Sequence, residues 1–443
     1  MRRVLLVSYW VPPRNGIGTV RSAHLLKYLA EFGWNVTTLT AAFSDGRHAS
    51  ASPSIETRYW DLKGAVKRFL GMGDRTAHEA LNVHVPAHGT KKTLGQRLIA
   101  AAGVPLTYPD EHAGWLPFAA QAARSAAASG NFDAVLTSGP PVTTNMVAAL
   151  SHGRLPWIAD MRDLWAENDS EERGALRMLL DDKLERFCLS KASSLIATSD
   201  LSARRFKNRY PRVPVFSIST GFDAAEWEHV PFEKERQCTL CYAGTLYSGR
   251  RDPSTLFAAL RRIFDRGLAQ AGELRVDLYA PREPWLLELV SRFGLQDAVR
   301  VHGLIDRGSA LAAQRRADRL IVLLWDGATA QGVVPGKLFE YFGARRAVLA
   351  IGGPPTSSVD TLLKETGAGN RVRTIDEIEA EVLTALSEHR AGTLRITPPS
   401  AVGAYSGREC ARRFAQVLDQ ACCARKTATA IPAKTTKYGM DGK

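Results

Sequence analysis

No long hydrophobic run occurs in this sequence. The stretch from Leu320 to Trp325 is closed by Asp326, and Val4 to Ser8 falls far short of the roughly 20 apolar residues that cross a bilayer. The opening Met1-Arg2-Arg3 lacks the apolar core and small-residue cleavage site of a secretory signal, so a cytoplasmic protein is expected. Cysteine is scarce: six in 443 residues, too scattered to form a disulfide framework, which fits a reducing compartment. Cys238-Thr-Leu-Cys241 does form a CxxC, but it begins an apolar strand pattern with no second ligand pair near it, and it reads as two buried strand cysteines rather than a zinc or redox centre. HExxH, GxxxxGK[ST] and GxSxG are all missing and the ten histidines show no ligand spacing, which removes the support for metal hydrolysis and for phosphoryl transfer from ATP. No zinc-finger or RNA-recognition signature is present, and no nucleic acid partner is expected.

Acidic residues are also in deficit. With 58 Lys and Arg against 45 Asp and Glu, the net charge of +13 concentrates anionic partners such as nucleotides or acidic lipid surfaces, without choosing between them. A modest basic cluster lies between Arg58 and Arg97, and a second forms the tail from Arg425 to Lys443. A chain of 443 residues exceeds the roughly 250–300 at which single cores stop growing, so two domains and a tail are expected.

The pattern is that of an α/β protein. Val4 to Tyr9 reads as a strand, Trp10 to Gly18 as a loop, and the residues after it as a helix with Val20, Ala23, Leu26 and Leu29 on one face. A second strand over Asn35 to Thr40 completes a β-α-β unit, whose crossover demands a parallel sheet. Strands at Asp133 to Thr137, Trp157 to Asp160 and Ser194 to Thr198 continue the first half. The second half starts afresh with Thr239 to Ala243, a loop over Gly244 to Asp252 and a helix over Pro253 to Leu268, followed by strands at 275–279, 299–302, 320–324 and 347–351. Two doubly wound halves follow, with boundaries expected at 1–215 and 216–404. A helix over 405–424 is expected, with the option of packing back on the first domain, and a disordered basic tail over 425–443. Trp60 to Met72 is an amphipathic stretch whose Trp60, Phe69, Lys63 and Arg68 suit shallow membrane contact or an ordinary surface helix.

Several constellations could carry chemistry. Gly16 and Gly18 lie between a strand and a helix, where backbone N–H groups could meet an anion or simply make a tight turn. Gly244 leaves a strand towards Arg250 and Arg251, and Val334-Pro-Gly-Lys337-Leu-Phe-Glu340 opens a helix. Pro335 suits a first helical position and Gly336 lets the backbone approach a ligand closely. Lys337 and Arg250 could then neutralise a diphosphate, and Glu340, one turn on, could accept hydrogen bonds from ribose hydroxyls. Asp160, Arg162 and Asp163 form a candidate catalytic group at the C-terminal end of a strand, with alternation placing Asp160 and Arg162 on one side and Asp163 on the other. The polar run from Pro109 to Trp115 would line an acceptor site or end a helix.

Taken in order, Ser8-Tyr-Trp-Val-Pro-Pro with Gly16 and Gly18, Asp160-Met-Arg-Asp-Leu-Trp165, Thr220-Gly-Phe-Asp223, Tyr242-Ala-Gly-Thr-Leu-Tyr247 and Val334 to Tyr341 resemble the retaining family-4 glycosyltransferases of the GT-B fold, in the branch of O-antigen and capsule transferases. The resemblance spans about residues 2–420 and implies two Rossmann-like parallel-sheet domains facing across a cleft. It implies a nucleotide-diphosphate sugar held by the second domain, through Arg250 or Arg251, Lys337 and Glu340, with Gly16 and Gly18 approaching from across the cleft and the acceptor on the first domain. The acceptor would be a glycan, a lipid-linked saccharide or a small molecule, and the location cytoplasmic or peripheral on the inner membrane face. It also implies transfer with retention by a front-face route, the departing phosphate helping to deprotonate the acceptor. Two departures stand out: the acid that the family pattern would place at 332 is Gly332, and a histidine common near the first-domain strand end is replaced by Arg162. No cofactor or metal is expected, since no DxD-type acidic pair sits at a strand end of the second half. A nucleotide-sugar epimerase and a non-catalytic membrane-surface scaffold are the competing readings.

Overall fold

In the computed structural model the described residues are 1–14, 16–43, 53–62, 64, 108–168, 173–247, 249–327, 330–393 and 395–430. Most of the stretch from Trp60 to Met72 and the tail beyond 430 lie outside them. The first half builds a seven-stranded sheet in the order β3-β2-β1-β4-β5-β6-β7. Its strands are β1 Arg2–Val7, β2 Trp34–Ala41, β3 Ser54–Thr57, β4 Ala134–Gly139, β5 Trp157–Met161, β6 Ser194–Ala197 and β7 Val215–Ser217. The second sheet has six strands in the order β10-β9-β8-β11-β12-β13: β8 Cys238–Ala243, β9 Leu274–Tyr279, β10 Val299–Val301, β11 Arg319–Leu324, β12 Val348–Gly352 and β13 Gly369–Val372. Every pairing in both sheets is parallel.

Helices cover both faces, as parallel strands require, because their near-continuous apolar runs must be buried on each side. In the first half these are α1 Ile17–Tyr28, α2 Leu116–Ala128, α3 Thr143–Ser151, α4 Ala175–Leu189 and α5 Asp200–Arg209. In the second they are α6 Ser254–Asp265, α7 Pro284–Arg292, α8 Arg307–Arg316, α9 Gly336–Ala344, α10 Ser358–Thr366 and α11 Ile375–Arg390. α6 turns Leu256, Leu260 and Ile263 into the core as its periodicity predicts. Cys238 and Cys241 are three residues apart on β8, so they face opposite sides of the sheet and join different core clusters; the pair cannot share one ion.

Three sequence expectations need correction. β7 pairs with β6, so the passage between domains falls after Ser217, not at 215. The last helix, α12 Gly407–Ala430, runs past 424, and it crosses back so that Cys410, Ala411, Phe414 and Leu418 join the core of the first sheet. α1 buries Arg21, Ser22, His24 and Leu25 rather than the face of Val20 and Ala23. The helix lies between its own sheet, α12 and the interdomain crossing, and the ion pair of Arg21 with Asp160 is what draws its polar side inward.

Both sheets reverse strand order once, between β1 and β4 and between β8 and β11. Loops leaving the carboxyl ends of those strands diverge there and leave a crevice. The two crevices face one another.

Candidate interdomain active site

A cavity of about 260 Å³ lies between the domains at these switch points. The first domain lines it with Arg162, Asp163, Thr198 and Ser202, the second with Tyr247, Arg250, Arg251, Trp325 and Val334. α9 starts at its edge. Adding a Cβ to Gly336 would bring it within 2.2 Å of Ile17 Cδ1 at the start of α1, so the N-termini of the two helices approach each other across the cleft. Each presents unpaired first-turn N–H groups and the positive end of a helix dipole, which favours an anion between them.

The loop after β8 adjoins the start of α9. Gly244 adopts a φ of 130°, which L side chains rarely reach, and a Cβ there would sit 3.0 Å from Lys337 Nζ. The Lys337 ammonium lies 3.6 Å from the centroid of the Tyr242 ring, is buried, and has no hydrogen-bond partner among the described residues. Burial first, and the neighbouring Arg251 second, hold its pKa well below the ordinary lysine value. Arg251 is itself buried, with its guanidinium over the rings of Tyr247 and Trp325 and an unpartnered Nε. Arg250 is exposed to the cavity. None of these three cations is in an ion pair among the described residues. Tyr247, at φ 52°, holds a backbone conformation that costs of order 1–3 kcal/mol and turns its ring along the cavity wall.

Glu340 has partners already. Its carboxylate accepts from Arg307 Nη1 at 2.6 Å and from Gln314 Nε2 at 2.5 Å, and Arg307 is tied in turn to Glu226. An ionised carboxylate offers about four acceptor positions, so two remain.

The predicted trio at the end of β5 is split. Asp160 is fully buried and receives Arg21 Nε at 2.8 Å, Arg21 Nη2 at 2.7 Å and Ser138 Oγ at 2.8 Å. Arg21 also donates to the Ser219 carbonyl in the interdomain crossing, at 2.5 Å, and lies over the Phe414 ring. Asp160 is therefore buried away from the cavity, its carboxylate anchoring Arg21 and Ser138, and it does not join Arg162 and Asp163 on the cavity wall as the sequence grouping expected. Arg162 and Asp163 both line the cavity; the alternation expected of a continuing strand ends because β5 stops at Met161. The Arg162 guanidinium is engaged by the carbonyls of Gly18, Gly139 and Pro140, which join the β1, β4 and β5 loops, and burial lowers its pKa despite the nearby carboxylate of Asp160. Asp163 has no hydrogen-bond partner among the described residues. It is exposed where it lines the cavity, and the protein mass around it raises its pKa, with the Arg162 charge opposing.

Gly18 is also recast. A Cβ there would lie 2.8 Å from Trp10 Cγ, so its smallness accommodates the indole, while its carbonyl serves Arg162. Gly16 caps α1 at a φ of 133°. Gly332, where the family pattern has an acid, is pressed against α5: its carbonyl accepts from Ser199 Oγ at 2.6 Å and Ser202 Oγ at 3.4 Å, and a Cβ would come within 2.8 Å of Ser202 Oγ. Contact between the domains fills the space an acidic side chain would need. Asp110 caps α3 through Thr143, so that part of the 109–115 run ends in helix capping.

Sequence reasoning quoted Tyr247 within the 242–247 motif without giving it a role at the site, and gave none to Thr198, Ser202 and Trp325. Trp325 and Thr198 appeared there only as the last residues of apolar runs read as strands. One group with metal-ligand atoms occurs among the described residues, Cys238, Asp318 and His389. It is buried under the second sheet, and its polar atoms are already used: His389 Nδ1 meets Asp318 Oδ1 at 3.1 Å, and Thr239 N–H donates to Asp318 Oδ2.

This geometry can be set beside known proteins. Residues 15–221 match the family model of the glycosyl transferase 4-like domain. No curated protein sequence gives a significant match. Among solved structures, a sucrose-phosphate synthase from Thermosynechococcus elongatus superposes with a TM-score of 0.63 at 15% identity, covering 96% of this chain and 100% of that one. A pneumococcal O-GlcNAc transferase solved with UDP and GlcNAc gives 0.56 at 8% identity, covering 95% and 99%. A UDP-N-acetylglucosamine 2-epimerase from Listeria monocytogenes gives 0.53 at 13% identity, covering 95% and 96%. At such identities the superpositions speak for the fold, and the family match for the activity. With residues 15–221 matching the glycosyl transferase 4-like domain and two parallel-sheet domains enclosing a cationic cleft, the chain has the GT-B fold, and its first domain is a glycosyl transferase 4-like domain.

Proposed function

We propose that the protein transfers a sugar, with retention, from a nucleotide-diphosphate donor seated on the second domain to a lipid-linked saccharide or glycan presented by the first. The observation that carries this reading is the set of three cations, Arg250, Arg251 and Lys337, that gather at the start of α9 without an ion pair among the described residues. A pyrophosphate there would satisfy Lys337 Nζ and meet the positive end of α9.

Cleavage of the sugar–phosphate bond moves negative charge onto the departing diphosphate. Fixed cations in a water-poor cleft stabilise that charge more in the transition state than in the ground state. The departing phosphate takes the proton of the attacking hydroxyl, so no protein base is required. Asp163, opposite the cations, faces the sugar ring as positive charge develops on it. Arg162 positions Asp163 by locking the loops around it. Glu340, steadied by Arg307, accepts the ribose hydroxyls on its free lone pairs, and backbone groups near Gly303 to Ile305 read the base. Three cations supply the neutralisation that a divalent ion gives elsewhere, so no metal is required.

The test is a donor screen read by mass spectrometry, with a lipid extract as acceptor and chelator throughout. UDP-sugars come first because the pneumococcal structure holds UDP. Saturable consumption of one donor, dependent on acceptor and lost in Lys337→Ala, is expected. Activity that needs added manganese would remove the metal-free part, and epimerised free sugar without any acceptor would favour the epimerase reading that the shared fold allows.

A further inference from the structure

α4 is built inside out. A surface helix normally turns its acids to water and its leucines to the core. Here Asp181 and Glu185 point inward and are buried, with Asp181 paired to Arg173 and Arg177, and Glu185 to Arg209 and the Tyr210 hydroxyl. Leu176, Leu179, Leu180 and Phe187 face outward, with exposures between 43% and 70%. Their spacing of three, four and seven residues puts them on one stripe, and Lys183 lies at its centre. Leu150, at the end of the adjoining α3, extends the apolar surface. Such a stripe is too coherent for the scattered exposed apolar residues of an ordinary surface.

Among the described residues, the charges on and just after α4 that lie beside this stripe without an ion pair are those of lysines. Lys191 places its ammonium 3.6 Å from the centroid of the Phe187 ring and reaches the Ala149 carbonyl, and Lys183 is exposed without an ion pair among the described residues. Asp182, the remaining acid of α4, is neutralised by Arg186 and Arg209. α4 therefore offers apolar side chains beside cations, and each of its own three carboxylates is paired. A second copy of the chain docked about a two-fold axis would bring Lys183 against the same stripe of its mate, setting like charges together. An anionic bilayer accepts both elements, since lysine stems can lie along the apolar surface while their ammonium groups rise to the phosphates.

We infer that α4 is a membrane-docking face, laying Leu176, Leu179, Leu180 and Phe187 into the headgroup boundary of an anionic leaflet with Lys183 and Lys191 at the phosphates. This rests on the membrane-side reading of the acceptor but not on the identity of the sugar. The stretch from Trp60 to Met72, where sequence alone looked for membrane contact, lies largely outside the described residues.

The full chain is mixed with phosphatidylcholine vesicles with and without phosphatidylglycerol, and partition is measured by flotation in the absence of donor. Binding to the anionic vesicles is expected. The combined Leu176→Ser, Leu180→Ser and Phe187→Ser variant should lower it at least tenfold, about 1.4 kcal/mol. Lys183→Gln should lower it roughly fivefold on anionic vesicles and not on neutral ones. Nucleoside-diphosphate affinity, measured in parallel, should be unchanged in both, which separates failure of this surface from failure of the transferase reading. Unaltered partition of the triple variant, or a concentration-dependent dimer in light scattering that the triple variant abolishes, would overturn the inference.

Discussion

Replacing Lys337 with Met should make the free protein more stable and the diphosphate complex weaker. In the free protein the amine sits against the Tyr242 ring with no hydrogen-bond partner among the described residues, and burial together with Arg251 depresses its pKa. A buried unsatisfied donor costs about 1–3 kcal/mol, and Met keeps the apolar packing without it. Part of that gain is offset by the lost contact with the ring, worth roughly 0.5–2 kcal/mol when the amine is charged. Central values leave a net gain of about 1 kcal/mol, which for domains of this size moves the melting temperature by about 2–4 °C, the rise expected in differential scanning fluorimetry without ligand. A charge-assisted hydrogen bond to phosphate is worth about 1.5–3 kcal/mol, so calorimetry should show affinity for the nucleoside diphosphate falling by roughly 10- to 150-fold.

The pH dependence has a definite sign. Below the unfolded lysine pKa of about 10.4 the unfolded chain binds more protons at this site than the folded one, down to the depressed folded value. Through that window the stability of the free protein therefore rises with pH on account of Lys337, and Lys337→Met should remove that slope. A bound pyrophosphate restores the charge, so binding takes up a proton and affinity falls as pH climbs through the same window. Calorimetry in buffers of different ionisation enthalpy should report positive proton uptake for the parent and none for Lys337→Met. A variant that melts lower than the parent while binding diphosphate equally well would refute this account of Lys337.

Asp160→Asn should cost about 3–5 kcal/mol in urea unfolding, because it strands the buried Arg21 guanidinium; the turnover per folded molecule should stay near that of the parent. Asp163→Asn should lower kcat/KM roughly 100-fold with little change in donor KM. In the parent, activity should decline as pH falls through an Asp163 pKa that lies above the ordinary carboxylate range, and initial rates across pH should show that limb missing in the variant. Removing both hydroxyls that grip the Gly332 carbonyl, with Ser199→Ala and Ser202→Ala, should cost the closed arrangement about 2 kcal/mol at about 1 kcal/mol per bond. X-ray scattering of the donor-free protein should then give a larger radius of gyration, and an unchanged profile would show that this contact does not hold the domains together.

Local pattern reached a long way into this protein. Short apolar runs bounded by turn residues located most of the strands, since a strand buried on both faces writes itself as a continuous hydrophobic segment. β3 and β13 left weaker marks: Ser-Ile-Glu-Thr and Gly-Asn-Arg-Val are edge strands, half exposed and carrying polar side chains. That Gly244 and Lys337 would adjoin was legible because glycine and cationic residues stand out at strand–loop–helix junctions, and the structure places Lys337 Nζ beside Gly244. The inward face of α1 was misread because a periodicity count treats Arg21 as solvent-facing, and its partner Asp160 is 139 residues away.

The places of the strands, turns and helices, and the parallel character of both sheets, follow from apolar periodicity and turn chemistry, which act between near neighbours and so are written along the chain, whereas strand order and the switch points came from the assembled sheets. Which carboxylate reaches the cleft was a different matter. Asp160 and Asp163 are three residues apart in similar company, and only the folded chain, by bringing Arg21 and Ser138 to one and leaving the other on the cavity wall with Arg250, separates a buried anchor from a carboxylate that lines the cleft. The same holds for Gly332 against Ser202, and for the outward leucines of α4: burial and pairing depend on what the rest of the chain brings alongside, and no local pattern carries that.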